Sequence, residues 1–396
     1  MSLALDLSYT AHCPAQTGVQ RVCRQLFAQL AATGHAPVPL IHDRFARRWR
    51  APDRAELGCL SPATAEHPAR RRGEIWSLAQ NFRGRLGLFA EPNWPALRGL
   101  PILAPEIFRP ETFAAYSTLR QRLGGPIGAI FYDAVVLRHP DLSPPASVAR
   151  FPAYLRELAT FDGVAAISEA SRAELLDHWS RLGLQDTPAV VAIPLGLEPP
   201  PPISSPIAED RHGPLILSVG TLEGRKNHLA LLEAAEILWR EGRQFRLTLA
   251  GLHRPETAAP ALLRATELHA LGRPLSAPGA VSESRLHELY AACRFTVYPS
   301  LYEGYGLPVA ESLAYGRPCI CSSGGALAEV AAGGGCLVVP NPTPEHLAQA
   351  LRALLLDEDL YRRLGTEATQ RRFPTWADYA RNAAAWLETL TPHPRS

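Results

Sequence analysis

Short, continuous apolar runs alternate with stretches of helical periodicity along most of this chain, and four consecutive prolines, Pro199 to Pro202, divide the alternation into two series. A continuous apolar run has no polar face to offer water, so it predicts a strand covered on both sides. Alternation of such strands with helices predicts parallel, doubly wound sheets. In the first series the pattern predicts strands over 2–9, 36–41, 126–133, 163–168 and 189–195, and helices over 17–33 and 169–182. Val19, Val22, Leu26 and Leu30 fall at helical spacing within the first of those helices. Residues 44–125, rich in Pro and Arg, show little periodicity, with short strands expected near Ile75, Leu86 and Pro101. The second series predicts strands over 215–220, 245–250, 295–300, 317–322 and 336–339, and helices over 228–241, 283–293, 308–315, 344–356 and 358–372. The proline run is stiff and extended, so it reads as a linker. The expected division is a first domain over 1–198, a linker over 199–213, a second domain over 214–374, and a C-terminal helix over 375–396 that packs back towards the first domain.

Composition bounds the function. A chain of 396 residues holds roughly two or three domains. Its 46% hydrophobic and 20% charged content fits a globular protein, and a net charge of +2 gives no case for nucleic acid. No apolar run reaches the roughly 18 residues of a spanning helix, and no signal segment opens the chain, so a cytoplasmic location is expected. The seven cysteines form no CxxC pair and no zinc-spaced cluster; Cys319 and Cys321 are expected on one face of a strand as reduced core residues.

Lys226 is the only lysine in a chain with 40 Lys and Arg residues. It lies in Gly220-Thr-Leu-Glu-Gly-Arg225-Lys226-Asn227, where an apolar run passes through a glycine loop into a helical stretch. A compact ammonium at a strand-loop-helix corner suits a phosphate. The Gly220 to Lys226 spacing is that of a P-loop. However, Arg225 replaces the glycine before the lysine and Asn227 the hydroxyl after it, which argues against a nucleoside triphosphatase. The second constellation is Tyr298-Pro-Ser-Leu-Tyr-Glu303-Gly-Tyr-Gly-Leu-Pro308-Val-Ala-Glu311-Ser312. Its two carboxylates lie eight apart, glycines allow close backbone approach to a ligand, and Pro308 suits the first turn of a helix. Glu311 alone could equally be a charge set against the helix dipole.

These residues resemble retaining glycosyltransferases of family four, of the GT-B fold. The likeness rests on Glu303 and Glu311, on Gly220 to Asn227, on Thr17-Gly18-Val-Gln-Arg21, on Ala166 to Ser171 and on Ile193 to Gly196, and it covers nearly the whole chain. It implies two Rossmann-like domains facing across a cleft, the first on the acceptor side and the second holding a nucleoside-diphosphate sugar. It also implies that Lys226 and Arg225 hold the donor's diphosphate, that Glu311 bonds the ribose hydroxyls, that Glu303 faces the donor sugar, and that Gly18 approaches the phosphates. The implied catalytic set is Lys226, Arg225, Glu303 and Asp133. The implied donor-binding set is Gly18, Gly220, Thr221, Asn227, Tyr302, Gly304, Tyr305, Gly306, Leu307 and Glu311.

The implied activity is retaining, metal-independent hexosyl transfer, mannose from GDP-mannose first, to a saccharide or lipid-linked saccharide in polysaccharide assembly. The nucleotide sugar serves as co-substrate and no cofactor is expected. A nucleotide-sugar epimerase, a sugar phosphorylase and a non-catalytic nucleotide-sugar-binding protein remain as alternatives. Two departures from the family pattern stand out. Tyr132 occupies the position of a donor-facing histidine, with Asp133 beside it as sugar contact or turn cap, and Thr221 stands where some members carry arginine. His139 is expected in a surface loop, and Asp357-Glu-Asp359 at a solvated helix boundary rather than a metal site. Arg44-Phe-Ala-Arg-Arg-Trp-Arg50 with Arg70 to Arg72 is either a solvated arginine-rich loop or a peripheral contact to the inner membrane face.

Overall fold

The computed structural model of the protein describes residues 1–15, 17–62, 74–200 and 213–392. Two compact units emerge. One comprises Met1–Ala134, Ala149–Gly196 and Pro374–Ser396; the other comprises Val135–Val148 and Leu197–Phe373. The expected boundaries kept 1–198 together, but the stretch Val135–Val148 belongs with the second unit. Of the expected linker, residues 201–212 lie outside the described residues, as do Arg70 to Arg72.

The first unit is built on a seven-stranded sheet of order β3-β2-β1-β4-β5-β6-β7. Its strands are β1 Ser2–Asp6, β2 Ala36–Asp43, β3 Arg48–Arg50, β4 Ile102–Ala104, β5 Ile127–Phe131, β6 Gly163–Ala166 and β7 Val190–Ala192. All pairings are parallel except β2 with β3. Every residue of β5 and β6 is buried, as continuous apolar runs require. Strand glycines make room for the C-terminal helix Trp376–Glu388. A Cβ on Gly128 would come within 2.7 Å of Trp386, and one on Gly163 within 2.6 Å of Leu390.

The second unit has a six-stranded, all-parallel sheet of order β10-β9-β8-β11-β12-β13. Its strands are β8 Leu215–Val219, β9 Arg246–Ala250, β10 Leu275–Gly279, β11 Phe295–Tyr298, β12 Cys319–Cys321 and β13 Cys336–Val338. Ile216 joins one apolar cluster with Leu231, Leu247 and Leu351, while Leu215 and Leu217 join another with Leu289 and Tyr290, so both faces of β8 are covered. Cys319, Cys321 and Cys336 are free thiols, with Cys319 opposite Cys336 across neighbouring strands.

Several elements depart from the sequence reading. Ile75 lies in irregular chain, and Leu86 ends the helix Leu78–Arg85 rather than forming a strand. The helices Phe113–Leu123, Pro145–Leu158 and Pro255–Ala270 and the strand β10 were not anticipated. Pro152 and Pro260 lie inside two of those helices, and β10 carries Pro278 at the sheet edge, where a missing N–H is tolerated.

Candidate functional site

In an open parallel sheet, the crevice for a ligand opens where neighbouring strands send their connections to opposite sides, beyond the carboxyl ends. In the second unit that point lies between β8 and β11. The loop after β8 carries Gly220 to Asn227, and the loop after β11 carries Pro299 to Gly306. Both sequence constellations therefore meet there.

Lys226 closes a short 3-10 turn, Gly224–Lys226, and Asn227 then takes a left-handed conformation (φ 56°) to start the helix His228–Arg240. This turn folds the ammonium inwards. Lys226 is only 8% exposed, and its Nζ donates to Glu303 Oε1 at 2.6 Å and to the Tyr298 hydroxyl. An ammonium has three N–H donors, so one remains for a ligand. Arg225 donates through Nη1 to Glu303 Oε1 at 2.8 Å and to the Tyr302 carbonyl at 3.2 Å, and its Nη2 meets Glu223 Oε1 at 2.8 Å. Arg254 reaches the other Glu223 oxygen at 3.3 Å.

Glu303 is the hub of this cluster, receiving Lys226, Arg225 and the Ser300 hydroxyl on one oxygen. Burial pushes its carboxyl up, but the charges of Arg225 and Lys226 and the donated hydrogen bonds outweigh this and hold it down to about 2. Burial lowers the Lys226 pKa, with the Arg225 charge adding to it, while Glu303 and Glu223 pull the other way. His228, fully buried beside Lys226, is pushed down to about 3, mainly by burial, and is neutral.

Backbone geometry fixes the two loops. Gly251 (φ 156°) passes so close to the β8 loop that a Cβ there would lie 1.9 Å from the Gly220 carbonyl oxygen. Gly325 (φ 64°) does the same beneath Glu303, where a Cβ would meet the Glu303 carbonyl oxygen at 2.3 Å. Gly306 (φ 101°) caps the helix Leu307–Ala314. Glu311 is the fifth residue of that helix and no acidic residue occupies its first turn, so the dipole explanation for Glu311 falls away. Glu311 is 8% exposed and accepts from the Tyr290 hydroxyl at 2.8 Å.

Of the residues singled out by sequence, the second unit carries Gly220, Thr221, Arg225, Lys226, Asn227, Tyr302, Glu303, Gly304, Tyr305, Gly306, Leu307 and Glu311. The Asn227 side chain is engaged by the Pro342 carbonyl at 2.8 Å, so it braces the loop. Tyr302 and Tyr305 are both buried. Gly18 and Asp133 belong to the first unit. Gly18 is exposed at the start of the helix Gly18–Ala32 with open space around it, and Asp133 follows β5 half-buried.

Tyr132 is buried and its hydroxyl donates to the Pro105 carbonyl at 2.7 Å. His139 is not a free surface residue. It is half-buried in the second unit, with its ring 6.5 Å from Tyr302, and Arg138 lies over the same Tyr302 ring at 4.6 Å. Asp357 caps the helix Glu358–Gln370 and Asp359 pairs with Arg362, as a solvated boundary should. Sequence reading passed over Glu223, Tyr298, Ser300 and Arg138, and set His139 on the surface. Glu223 and Ser300 lie inside the quoted motifs, whereas nothing local to Arg138 signals its partner 164 positions away.

The first unit has its own switch point, between β1 and β4. A cavity of about 570 Å³ opens there, lined among others by Asp6, Tyr9, His42, Trp76, Glu106 and Arg109. Glu106 accepts from the Tyr9 and Thr10 backbone N–H groups at 2.7 and 2.6 Å. Burial and the neighbouring Asp6 charge nevertheless push its carboxyl up to about 8. Burial also raises Asp6, against hydrogen bonds from Ser8 and Tyr116. Two protonatable carboxyls beside aromatic rings suit a ligand rich in hydroxyls.

Residues 202–371 match the family described as Glycosyl transferases group 1. The O-antigen chain mannosyltransferase B of Escherichia coli is 36% identical over 38% of this chain and 39% of its own length. The serotype-specific mannosyltransferase WbdA of Escherichia coli is 27% identical over 80% of this chain and 38% of its own. The chain thus spans 38–39% of the length of these curated relatives. Among solved structures, the Anabaena protein HepE in complex with UDP-glucose superposes with a TM-score of 0.69 at 16% identity, over 98% of this chain and 100% of that one. With two parallel-sheet α/β domains and both sequence constellations at the β8/β11 switch point, the chain has the GT-B fold, and its residues 202–371 match the glycosyl transferases group 1.

Proposed function

We propose that this protein transfers a hexosyl group, mannose in the first instance, from a nucleoside-diphosphate sugar to a saccharide or lipid-linked saccharide acceptor, with retention of configuration. The observation that carries this reading is the buried Lys226–Glu303–Arg225 cluster at the β8/β11 switch point. Glu303 orients both cations, and the donor's diphosphate takes the remaining Lys226 N–H beside the Arg225 guanidinium. Negative charge grows on the leaving diphosphate as its bond to the sugar stretches, so a fixed ammonium stabilises the transition state more than the ground state. These two side chains supply the positive charge, and no metal enters the scheme. Glu311, braced by Tyr290, takes the ribose hydroxyls. In a front-face reaction the departing phosphate oxygen accepts the proton of the attacking hydroxyl, and no side chain need act as nucleophile. GDP-mannose as first donor rests on the mannosyltransferase relatives. The cavity in the first unit is read as the seat of the acceptor saccharide.

No helix among the described residues is long and apolar enough to cross a membrane. We place the reaction in the cytoplasm, at the inner membrane face when the acceptor is lipid-linked. Thermal-shift screening against GDP-, UDP-, dTDP- and ADP-sugars, followed by transfer assays on the donor that stabilises, tests the reading. Stabilisation by one donor series that disappears in Lys226→Ala is expected. Indifference to all four, or donor binding with neither hydrolysis nor transfer to any saccharide, would overturn it.

A further inference from the structure

The helix Leu78–Arg85 is inside out. A Ser77–Gln80 capping box starts it. It buries the polar Gln80, whose amide donates to Asp53 Oδ2 at 3.3 Å and Glu56 Oε1 at 3.2 Å. It also buries Gly84, which lies so tightly over Asp43 and Phe45 that a Cβ would sit 2.9 Å from the Asp43 carboxylate. The opposite face is apolar and bare: Leu78 is 88% exposed, Phe82 65% and Leu86 56%. Residues 78, 82 and 86 recur at intervals of four and so form one stripe. Ile75 at 61% and Leu88 at 59% flank it in sequence. Of the thirteen large apolar side chains exposed among the described residues, these are five, gathered within fourteen positions. Scattered exposed leucines need no explanation, but a contiguous patch does.

The charge around the patch is positive in balance. Arg83 and Arg85 are exposed in the last turn of the helix. The nearby carboxylates are already offset: Glu74 meets Arg44 at 3.4 Å and Arg109 at 3.3 Å, and Glu91 meets Arg48 at 3.5 Å and Arg122 at 3.8 Å. With Arg50, Asp43, Asp53 and Glu56 beneath the helix included, seven arginines stand against five carboxylates. An apolar stripe in a basic surround complements an anionic lipid surface, where the stripe enters the headgroup boundary and the guanidiniums meet the phosphates.

We propose that Ile75–Leu88 is a docking face for an anionic bilayer. Of the arginine stretch 44–50 that the sequence suggested, Arg44 and Arg48 border this face, whereas Arg50 is buried against Asp43 and Glu56 and cannot reach a membrane. The proposal does not depend on the transferase reading. It is tested by flotation of the full chain with phosphatidylcholine vesicles, with and without phosphatidylglycerol. Binding to the anionic vesicles is expected, weakened about tenfold or more in Leu78→Ser/Phe82→Ser and retained in Phe82→Trp with a blue-shifted emission. Both replaced side chains are exposed, so an unchanged melting temperature certifies the fold of the double variant. Turnover on a water-soluble acceptor stays unchanged, which separates this failure from that of Lys226. Absence of binding by the intact chain, equal binding to neutral vesicles, or equal binding by the double variant overturns the proposal. So does a dimer that the double variant converts to monomer, which would assign the face to a second copy.

Discussion

Removing the ammonium of Lys226 isolates the step that the geometry assigns to it. In Lys226→Ala the β8 loop keeps its anchors, because Leu301 N–H still donates to the Arg225 carbonyl at 2.8 Å and Asn227 to Pro342. Glu303 keeps Arg225 and Ser300, so it stays ionised and paired rather than stranded. What is lost is one buried positive charge at the position proposed for the leaving diphosphate. Two unit charges about 4 Å apart interact by about 4 kcal/mol at the effective dielectric of a protein surface. Deleting one preorganised donor to a developing anion costs about 2.7–4 kcal/mol. The expected loss in kcat is therefore on the order of 10²–10³. Lys226→Arg does not restore it, because the wider guanidinium cannot occupy a site bounded by Tyr298 and Glu303 and only 8% exposed. The assay is steady-state transfer from the stabilising nucleotide sugar, with melting temperatures recorded in parallel. A Lys226→Ala enzyme within about threefold of wild type would refute the argument.

Further outcomes follow from the same geometry. The alkaline limb of the activity profile lies below the usual lysine value, because burial lowers Lys226, and Glu303→Gln moves it further to the acid side by removing the charge that raises it; a pH–rate profile of both proteins decides. The folded pKa of Glu303 is depressed, so its contribution to stability is present above about pH 4.5 and lost as pH falls towards about 2. Melting temperatures of wild type and Glu303→Gln should accordingly converge over that window, and a constant gap would contradict the assignment. Arg50→Ala removes a guanidinium held at 2.8 Å from Asp43 and 2.6 Å from Glu56 in the core of the first unit. It should lower unfolding stability by about 3–5 kcal/mol in a denaturant titration. Gly251→Ala should weaken donor binding without touching a ligand, because its Cβ would displace the Gly220 carbonyl; calorimetric affinity equal to wild type would show that the loop adjusts freely.

The second unit was the more legible half, and the reason is physical. Its strands are buried on both faces and so appear as unbroken apolar runs, and Gly220 to Asn227 and Tyr302 to Glu311 stand beside them as compact local signals. The first unit hides more. Its β2–β3 hairpin pairs His42 with Trp49 and buries Arg50, an arrangement of polar residues that reads as loop until Asp43 and Glu56 are seen to neutralise it. The helix Leu78–Arg85 defeats a periodicity argument because its buried face is polar. The Arg138-His139 pair shows the further limit: its neighbour Tyr302 is fixed by tertiary packing, and no window of sequence contains both.

The chain changes unit after Ala134, Val148, Gly196 and Phe373. No single recombination junction can therefore exchange one lobe intact. A chimaera joined after Gly196 would leave Gly128 and Gly163 carved out for a Trp386 and Leu390 that the foreign half does not supply, and it would carry Arg138 and His139 away from the Tyr302 they neighbour. Variation in such a chain is accommodated by replacing residues within loops rather than by trading whole halves.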